Sequence, residues 1–146
     1  DALSTFFTQF MERYSSSVTD SMTGFDKYVV AMDIYFQIYN EFPKWFSYTQ
    51  EMFSYAPSEK SSGSEIINVF WQYYDKEIPV PALKALREGV EDGSIRSDVN
   101  IYTVYQCLLN AYTGTAIYEN LSFGVSPVDV IKFTADLIAN YIKSGK

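Results

Sequence analysis

The sequence predicts an all-α fold, and three observations lead to this prediction. Apolar residues recur three and four positions apart along every long segment, which is the period of an amphipathic helix. No stretch combines strict alternation with a tight turn between two strands. Of the 146 residues, 47% are hydrophobic and only 20% are charged, which suits one globular domain with a real core over residues 1–146. We expect a bundle of about six to seven helices.

Four of these helices are predicted in the first half of the chain. Gly24 separates the first two helices, and Pro43 ends the second because proline disfavours helical geometry at the residue before it. The second helix is apolar nearly all round, so we expect it to be buried among other helices. Residues 56–64 are rich in serine and form the best predicted loop. The predicted helices cover residues 2–22, 25–42, 43–55 and 65–76.

The second half is predicted to hold a helical segment that runs up to Gly93 and two long helices after it. Gly93 can adopt, at little cost in free energy, the left-handed conformation that commonly ends a helix. Ser97 and Asp98 offer side-chain oxygens for the first amides of the next helix. Ser126 is a good cap for the last helix, since Pro127 fits its first turn. The last two helices are predicted at residues 99–120 and 128–143.

Composition disfavours several classes of function. The net charge of -7 and the pI near 4.5 argue against binding to a phosphate backbone, which relies on Lys and Arg. Histidine is absent, and the lone Cys107 cannot build a thiolate metal site, so we expect no metal and no cofactor. The chain has no Gly-rich phosphate loop and no Gly-x-Ser-x-Gly nucleophile motif. We therefore expect that it is not an enzyme.

Two polar residues within apolar segments are interpreted as structural. Cys107 has apolar neighbours within one helical turn, so we expect a small, buried and unreactive side chain. Asp33 shares its helical stripe with Gln37 and Asn40, so we expect a solvated carboxylate and no buried counter-ion.

The sequence predicts no association with a membrane. Its longest apolar run, residues 29–32, falls far short of the ~20 residues that span a bilayer. The first residues lack the charged and apolar pattern of a signal peptide. We expect a cytoplasmic protein.

Aromatic residues are the strongest candidates for a binding site. With 13 Tyr and 11 Phe, the chain holds more ring surface than a plain helical core requires. Rings with a few polar tips are typical of small-molecule pockets, although a packed aromatic core would give the same pattern. No cation is placed to anchor a buried anion, so a small, largely apolar ligand that is neutral or cationic is favoured. The candidate pocket residues are Phe10, Tyr14, Tyr35, Phe36, Tyr39, Phe70, Trp71, Tyr74, Tyr105 and Tyr112.

The last two predicted helices carry more apolar surface than one domain core can cover. The first of them presents mostly small residues, which permit close approach of helices, and the last is apolar on more than one face. A second copy of the chain is the simplest cover, giving a four-helix interface in a homodimer. The candidate interface residues are Val104, Cys107, Ala111, Gly114, Tyr118, Ile131, Thr134, Ile138 and Ile142.

Residues 91–98, called the connector below, read Glu-Asp-Gly-Ser-Ile-Arg-Ser-Asp. This order of an acidic helix end, glycine, a hydrophobe, arginine, a polar residue and aspartate resembles the segment before the last two helices of tetracycline-repressor (TetR) family regulators. The break at Glu41, Phe42 and Pro43 and the closing pair of apolar helices are similar to that family as well. The resemblance covers nearly the whole chain, but only as the family's sensor domain.

The resemblance implies a ligand-responsive transcriptional regulator whose last two helices form the dimer interface. The family's basic helix-turn-helix is expected to precede residue 1, so we expect operator DNA to be bound by that domain and no nucleic acid to be bound by this chain itself. A helical carrier or scaffold for an apolar ligand or a protein partner is the alternative hypothesis. An enzyme with an acidic or tyrosine-based site is a third hypothesis, supported only by the tyrosine hydroxyls.

Overall fold

The computed structural model describes residues 2–42, 44, 81–117 and 124–145. Within these ranges the protein forms five helices and no strand, which confirms the predicted all-α class. The predicted helices at 43–55 and 65–76 and the loop between them lie outside the described residues. The helices are α1 (Ala2–Ser17), α2 (Gly24–Glu41), α3 (Pro81–Asp92), α4 (Ile101–Ile117) and α5 (Pro127–Ile142).

The first helix ends earlier than predicted because a cap and a turn take over the residues after it. The Met22 amide donates to the Thr19 carbonyl at 3.1 Å and closes a turn. Thr23 adopts an extended backbone, and its hydroxyl accepts a hydrogen bond from the Asp26 amide at 3.1 Å. A threonine in this position satisfies one of the free amides at the start of α2. The apolar period therefore continues past residue 17 although the helix does not.

The turn before α4 uses a different cap from the predicted one. Gly93 has a φ of 80° and ends α3, as predicted. The cap of α4, however, is Asn100, whose side-chain oxygen accepts from the amides of Tyr102 at 3.0 Å and Thr103 at 3.2 Å. Asp98 instead pairs with Arg96. At α5, Ser126 occupies the capping position but makes no side-chain capping bond.

Helix α2 packs most extensively against α3, and two glycines set how close they come. A Cβ added to Gly24 would overlap the backbone nitrogen and Cα of Gly89. A Cβ added to Gly89 would lie 2.7 Å from Cγ1 of Ile95. The two backbones can approach each other this closely only because both residues lack a side chain. The start of α2 is thereby placed directly on the end of α3.

The described residues pack into two apolar clusters on different faces of α2. This confirms that α2 is buried among other helices, while its polar residues Asp26, Asp33, Gln37 and Asn40 are exposed. The solvated interpretation of Asp33 is also confirmed. The main core contains Tyr28, Phe36, Ala85, Leu86, Ile95, Leu108, Ile131, Ala135 and Ile142. The second cluster contains Phe6, Phe10, Ala31, Ile34, Ile38 and Ala82.

Candidate functional site

Helices α1 and α2 are joined by a column of stacked rings, called the aromatic stack below. Its closest pair is Phe10 and Tyr35, whose ring centroids are 4.3 Å apart with planes inclined by 28°. Phe6 lies 6.0 Å from both Tyr35 and Tyr39, and Tyr14 lies 5.9 Å from Phe10. These spacings fall in the range of favourable ring pairs. The aromatic stack comprises Phe6, Phe10, Tyr14, Tyr35 and Tyr39.

Both helices contribute phenol groups to the stack, Tyr14 from α1 and Tyr35 and Tyr39 from α2. Phe6 and Phe10 are buried, whereas Tyr35 and Tyr39 are half-buried. Burial raises the pKa of Tyr14, and the Glu88 carboxylate raises it further by repelling the phenolate. The phenol is therefore neutral at physiological pH. Stacked ring faces with a few hydroxyl tips are typical of sites for apolar or aromatic ligands.

An ion pair ties α1 to the end of α2. The two terminal guanidinium nitrogens of Arg13 donate to the Glu41 carboxylate, at 3.0 and 2.6 Å. The hydrogen bond from Arg13 lowers the pKa of Glu41. The charge of Arg13 is therefore paired with a carboxylate of the protein itself.

The predicted pocket residues are only partly brought together. Phe10, Tyr14, Tyr35 and Tyr39 meet in the aromatic stack, whereas Phe36 lies in the main core on another face of α2. Adjacent residues of a helix point in different directions, so Tyr35 and Phe36 cannot line one site. Tyr105 is half-buried on α4. The remaining candidates Phe70, Trp71 and Tyr74, and the side chain of Tyr112, lie outside the described residues.

An open groove of about 470 Å³ runs between α1 and α2, and no member of the aromatic stack lines it. Ile34 is its buried apolar part, and Glu12 and Asp33 form no ion pair within the described ranges. Sequence reasoning did not identify this groove, although Glu12 and Ser16 lie four residues apart on one face of α1. Its lining residues are Glu12, Arg13, Ser16, Ser17, Val30, Asp33, Ile34 and Gln37.

The last helix leaves a row of large apolar side chains in solvent. These are Val130, Phe133, Leu137 and Tyr141, exposed to 39%, 66%, 55% and 63%, and they are called the α5 stripe below. Their spacing of three, four and four residues puts them on one face of the helix. Tyr102 on α4, 60% exposed, was also missed by sequence reasoning.

The burial pattern corrects the interface residues that were chosen on α5. Ile131 and Ile142 are buried in the main core at 7% and 0% exposure, so a partner cannot reach them. Ile138 packs against the same core, and the Thr134 hydroxyl donates to the Val130 carbonyl at 2.9 Å. The apolar face open to a partner is the α5 stripe, which is a neighbouring face of the same helix.

On α4 the predicted interface residues divide similarly. Val104 packs against the main core, while Ala111 and Gly114 are half-buried and Tyr118 lies outside the described residues. Cys107 is exposed, which corrects its interpretation as a buried hydrophobe. Apolar neighbours along the helix did not bury it, because its own face points away from the core.

Neither a metal site nor a membrane span is found in the part of the chain that the structure describes. No three potential ligands among Cys, Asp and Glu residues come together there. No helix in those ranges is long and apolar enough to cross a bilayer.

The comparisons with known proteins add no assignment to this geometry. No protein-family model, no curated protein and no solved structure matches the chain.

Proposed function

We propose that this chain is the effector-sensing and dimerisation domain of a TetR-like transcriptional regulator. It forms a bundle of six to seven helices, and its last two helices make a four-helix interface with a second copy. A basic helix-turn-helix domain outside residues 1–146 binds operator DNA, and the regulator acts in the cytoplasm. The effector is a small, largely apolar molecule that is neutral or cationic.

The α5 stripe is the observation that carries this proposal. A soluble protein rarely leaves large apolar side chains in one continuous row unless they mark an interaction surface. A separate face of α5 is polar, with an ion pair of 3.4 Å between Lys132 and Asp136. A second copy covers the row simply, because a two-fold axis brings the same patch of both copies together.

The aromatic stack supports the sensing part of the proposal. It joins α1 to α2 through ring contacts, of which the closest is that between Phe10 and Tyr35. An apolar ligand that wedges between these rings would change the angle of α1 relative to α2. A ligand shifts such an equilibrium only if it binds the two arrangements unequally, and a coupling of about 1–3 kcal/mol is the ordinary scale.

The dimer is tested by light scattering of the native chain and of the Phe133→Glu variant. We expect the native chain to be a dimer at micromolar concentration, with more than about 1,200 Å² buried in total. A carboxylate in the middle of the stripe should produce a monomer that keeps its helix content. Lys84→Gln on the exposed face of α3 changes the net charge by the same amount and should leave the dimer intact. A monomeric native chain would refute the dimerisation proposal.

A helical carrier or scaffold would use the same stripe for a different partner. The two functions differ in what the gene encodes before residue 1, where a basic helix-turn-helix would support the regulator. Both functions allow an apolar ligand, so a ligand screen tests the site in the aromatic stack and does not separate the two. Compounds that raise the melting temperature of the native chain but not of Tyr35→Ala support a sensing site in the aromatic stack.

A further inference from the structure

The connector caps the start of α2 from a distant part of the chain. The Gly24 amide donates to Oδ2 of Asp92 at 2.7 Å, and the Phe25 amide donates to Oγ of Ser94 at 3.0 Å. The first amides of a helix have no partner within it, so these bonds satisfy groups that would otherwise need water. The start of α2 is therefore held by the connector as well as by its own cap.

The same segment is also bonded to the end of α5. The Arg96 amide donates to the Ile142 carbonyl at 2.9 Å, and the Ser144 amide donates to the Ser94 carbonyl at 3.0 Å. Between these two bonds, Ile95 and Lys143 form an isolated antiparallel bridge. Ser94 thus bonds α2 through its side chain and the residues after α5 through its backbone.

A member of the α5 stripe touches the connector directly. The Arg96 guanidinium carbon lies 4.6 Å from the centre of the Tyr141 ring, and the guanidinium also pairs with the Asp98 carboxylate at 2.7 Å. Because Tyr141 is 63% exposed, a partner seated on the stripe would cover both the ring and the cation beside it. A cation and a ring attract each other more strongly when water is removed.

We propose that the connector makes the end of α5 and the start of α2 open and close as one cooperative unit, so that covering Tyr141 steadies the start of α2. Opening residues 94–96 breaks bonds to both helices at once, which is the condition for shared local unfolding. A partner that rigidifies one side of such a unit steadies the other without any change of shape. Only the identity of the partner rests on the proposed function.

The test is amide hydrogen exchange followed by NMR, with every variant made in the Phe133→Glu background so that self-association does not contribute. Tyr141→Ala should raise the exchange rates of the Gly24 and Phe25 amides about two- to fivefold, the loss expected for one exposed cation–π contact. Leu137→Ala removes a similar apolar side chain from the stripe but has no bond to the connector, so it should leave both rates unchanged. Equal rates in all variants, or an equal rise in both, would overturn the coupling.

Coupling must also work in the reverse direction, because linkage is reciprocal. Ser94→Ala removes the bond to Phe25 but keeps the backbone bonds to α5, and it should still speed exchange at the Arg96 and Ser144 amides. Acceleration at Phe25 alone would mean that the two sides open independently, and the proposal would be wrong. Light scattering of the native chain reports on dimerisation separately, so a failure of the proposed function and a failure of this coupling give different results.

Discussion

Replacing Gly24 with alanine is expected to separate the start of α2 from α3. The added methyl group would overlap the Gly89 nitrogen and Cα and would lie 2.5 Å from the carbonyl carbon of Glu88. These neighbours are backbone atoms of a helix, so none of them can rotate away as a flexible side chain would. The helices must move apart, and the Gly24 bond to Asp92 and the Lys27 ion pair with Glu88, each at 2.7 Å, are strained together.

The expected loss of stability follows from the kind of atoms that the added methyl group would displace. Overpacking by one methyl group usually costs about 1–3 kcal/mol, and a rigid backbone neighbour puts Gly24→Ala at or above the upper end of that range. For a domain of about 150 residues, each kcal/mol lowers the melting temperature by roughly 2–4 °C. We therefore expect a loss of about 6–12 °C for a cost of about 3 kcal/mol.

Thermal unfolding followed by circular dichroism measures this loss, and the chain supplies its own controls. Gly114 lies in α4, and no atom of the described residues comes within 4 Å of a Cβ added there, so Gly114→Ala should be neutral or stabilising by about 0.5–1 kcal/mol. An added Cβ at Gly93 also meets no described atom, so alanine there should cost only about 1–2 kcal/mol for adopting the left-handed backbone at a φ of 80°. If Gly24→Ala melts no lower than Gly93→Ala, the close approach of α2 and α3 is not as described.

Two further substitutions and one labelling experiment test individual residues. Tyr28 is fully buried, and its hydroxyl has no hydrogen-bond partner within the described ranges. Tyr28→Phe should therefore raise the free energy of unfolding, measured by urea titration, by about 1 kcal/mol. A clear decrease in that free energy would mean that the hydroxyl has a hydrogen-bond partner. Burial opposes ionisation of Asp92, but hydrogen bonds from the Ser94 hydroxyl and the Gly24 and Ser94 amides outweigh it and lower its pKa. At neutral pH the native chain should therefore have a free energy of unfolding about 1 kcal/mol higher than that of Asp92→Asn, which lacks the charged cap. This difference should disappear as the pH falls below the ordinary Asp pKa of about 4. In the Phe133→Glu background the exposed Cys107 should react with a thiol reagent at nearly the rate of the unfolded chain, and strong protection would mean that it is covered.

Helix positions could be predicted from the sequence where local signals bound them on both sides. The predicted helices at 25–42 and 128–143 correspond to α2 at Gly24–Glu41 and α5 at Pro127–Ile142. Glycine, proline and capping residues act over a few positions, so their effect is visible in the sequence alone. The capping of α2 by Asp92 and Ser94 was not predictable in this way, because it joins residues 68 and 69 positions apart.

The sequence indicates which rings of the candidate pocket share a face of one helix, but not which faces of different helices meet. Tyr35 and Tyr39 lie four residues apart and share the aromatic stack with Phe10, as the helical period requires. Phe36 was grouped with them because it is equally apolar, yet its face of α2 meets α3, α4 and α5 instead of α1. Composition identifies which rings are available, and the neighbours of each face decide which rings meet.

The choice of face on α5 shows where such reasoning needs the tertiary structure. Ile131, Ile138 and Ile142 form one apolar row at helical spacing, and Val130, Phe133, Leu137 and Tyr141 form another beside it. Hydrophobicity alone ranks the two rows about equally, since both carry large apolar side chains. Only the tertiary structure separates them, because the isoleucine row packs into the main core with Tyr28 and Leu86. The row that contains Phe133 is left in solvent, so it is the apolar face of α5 that a partner can reach.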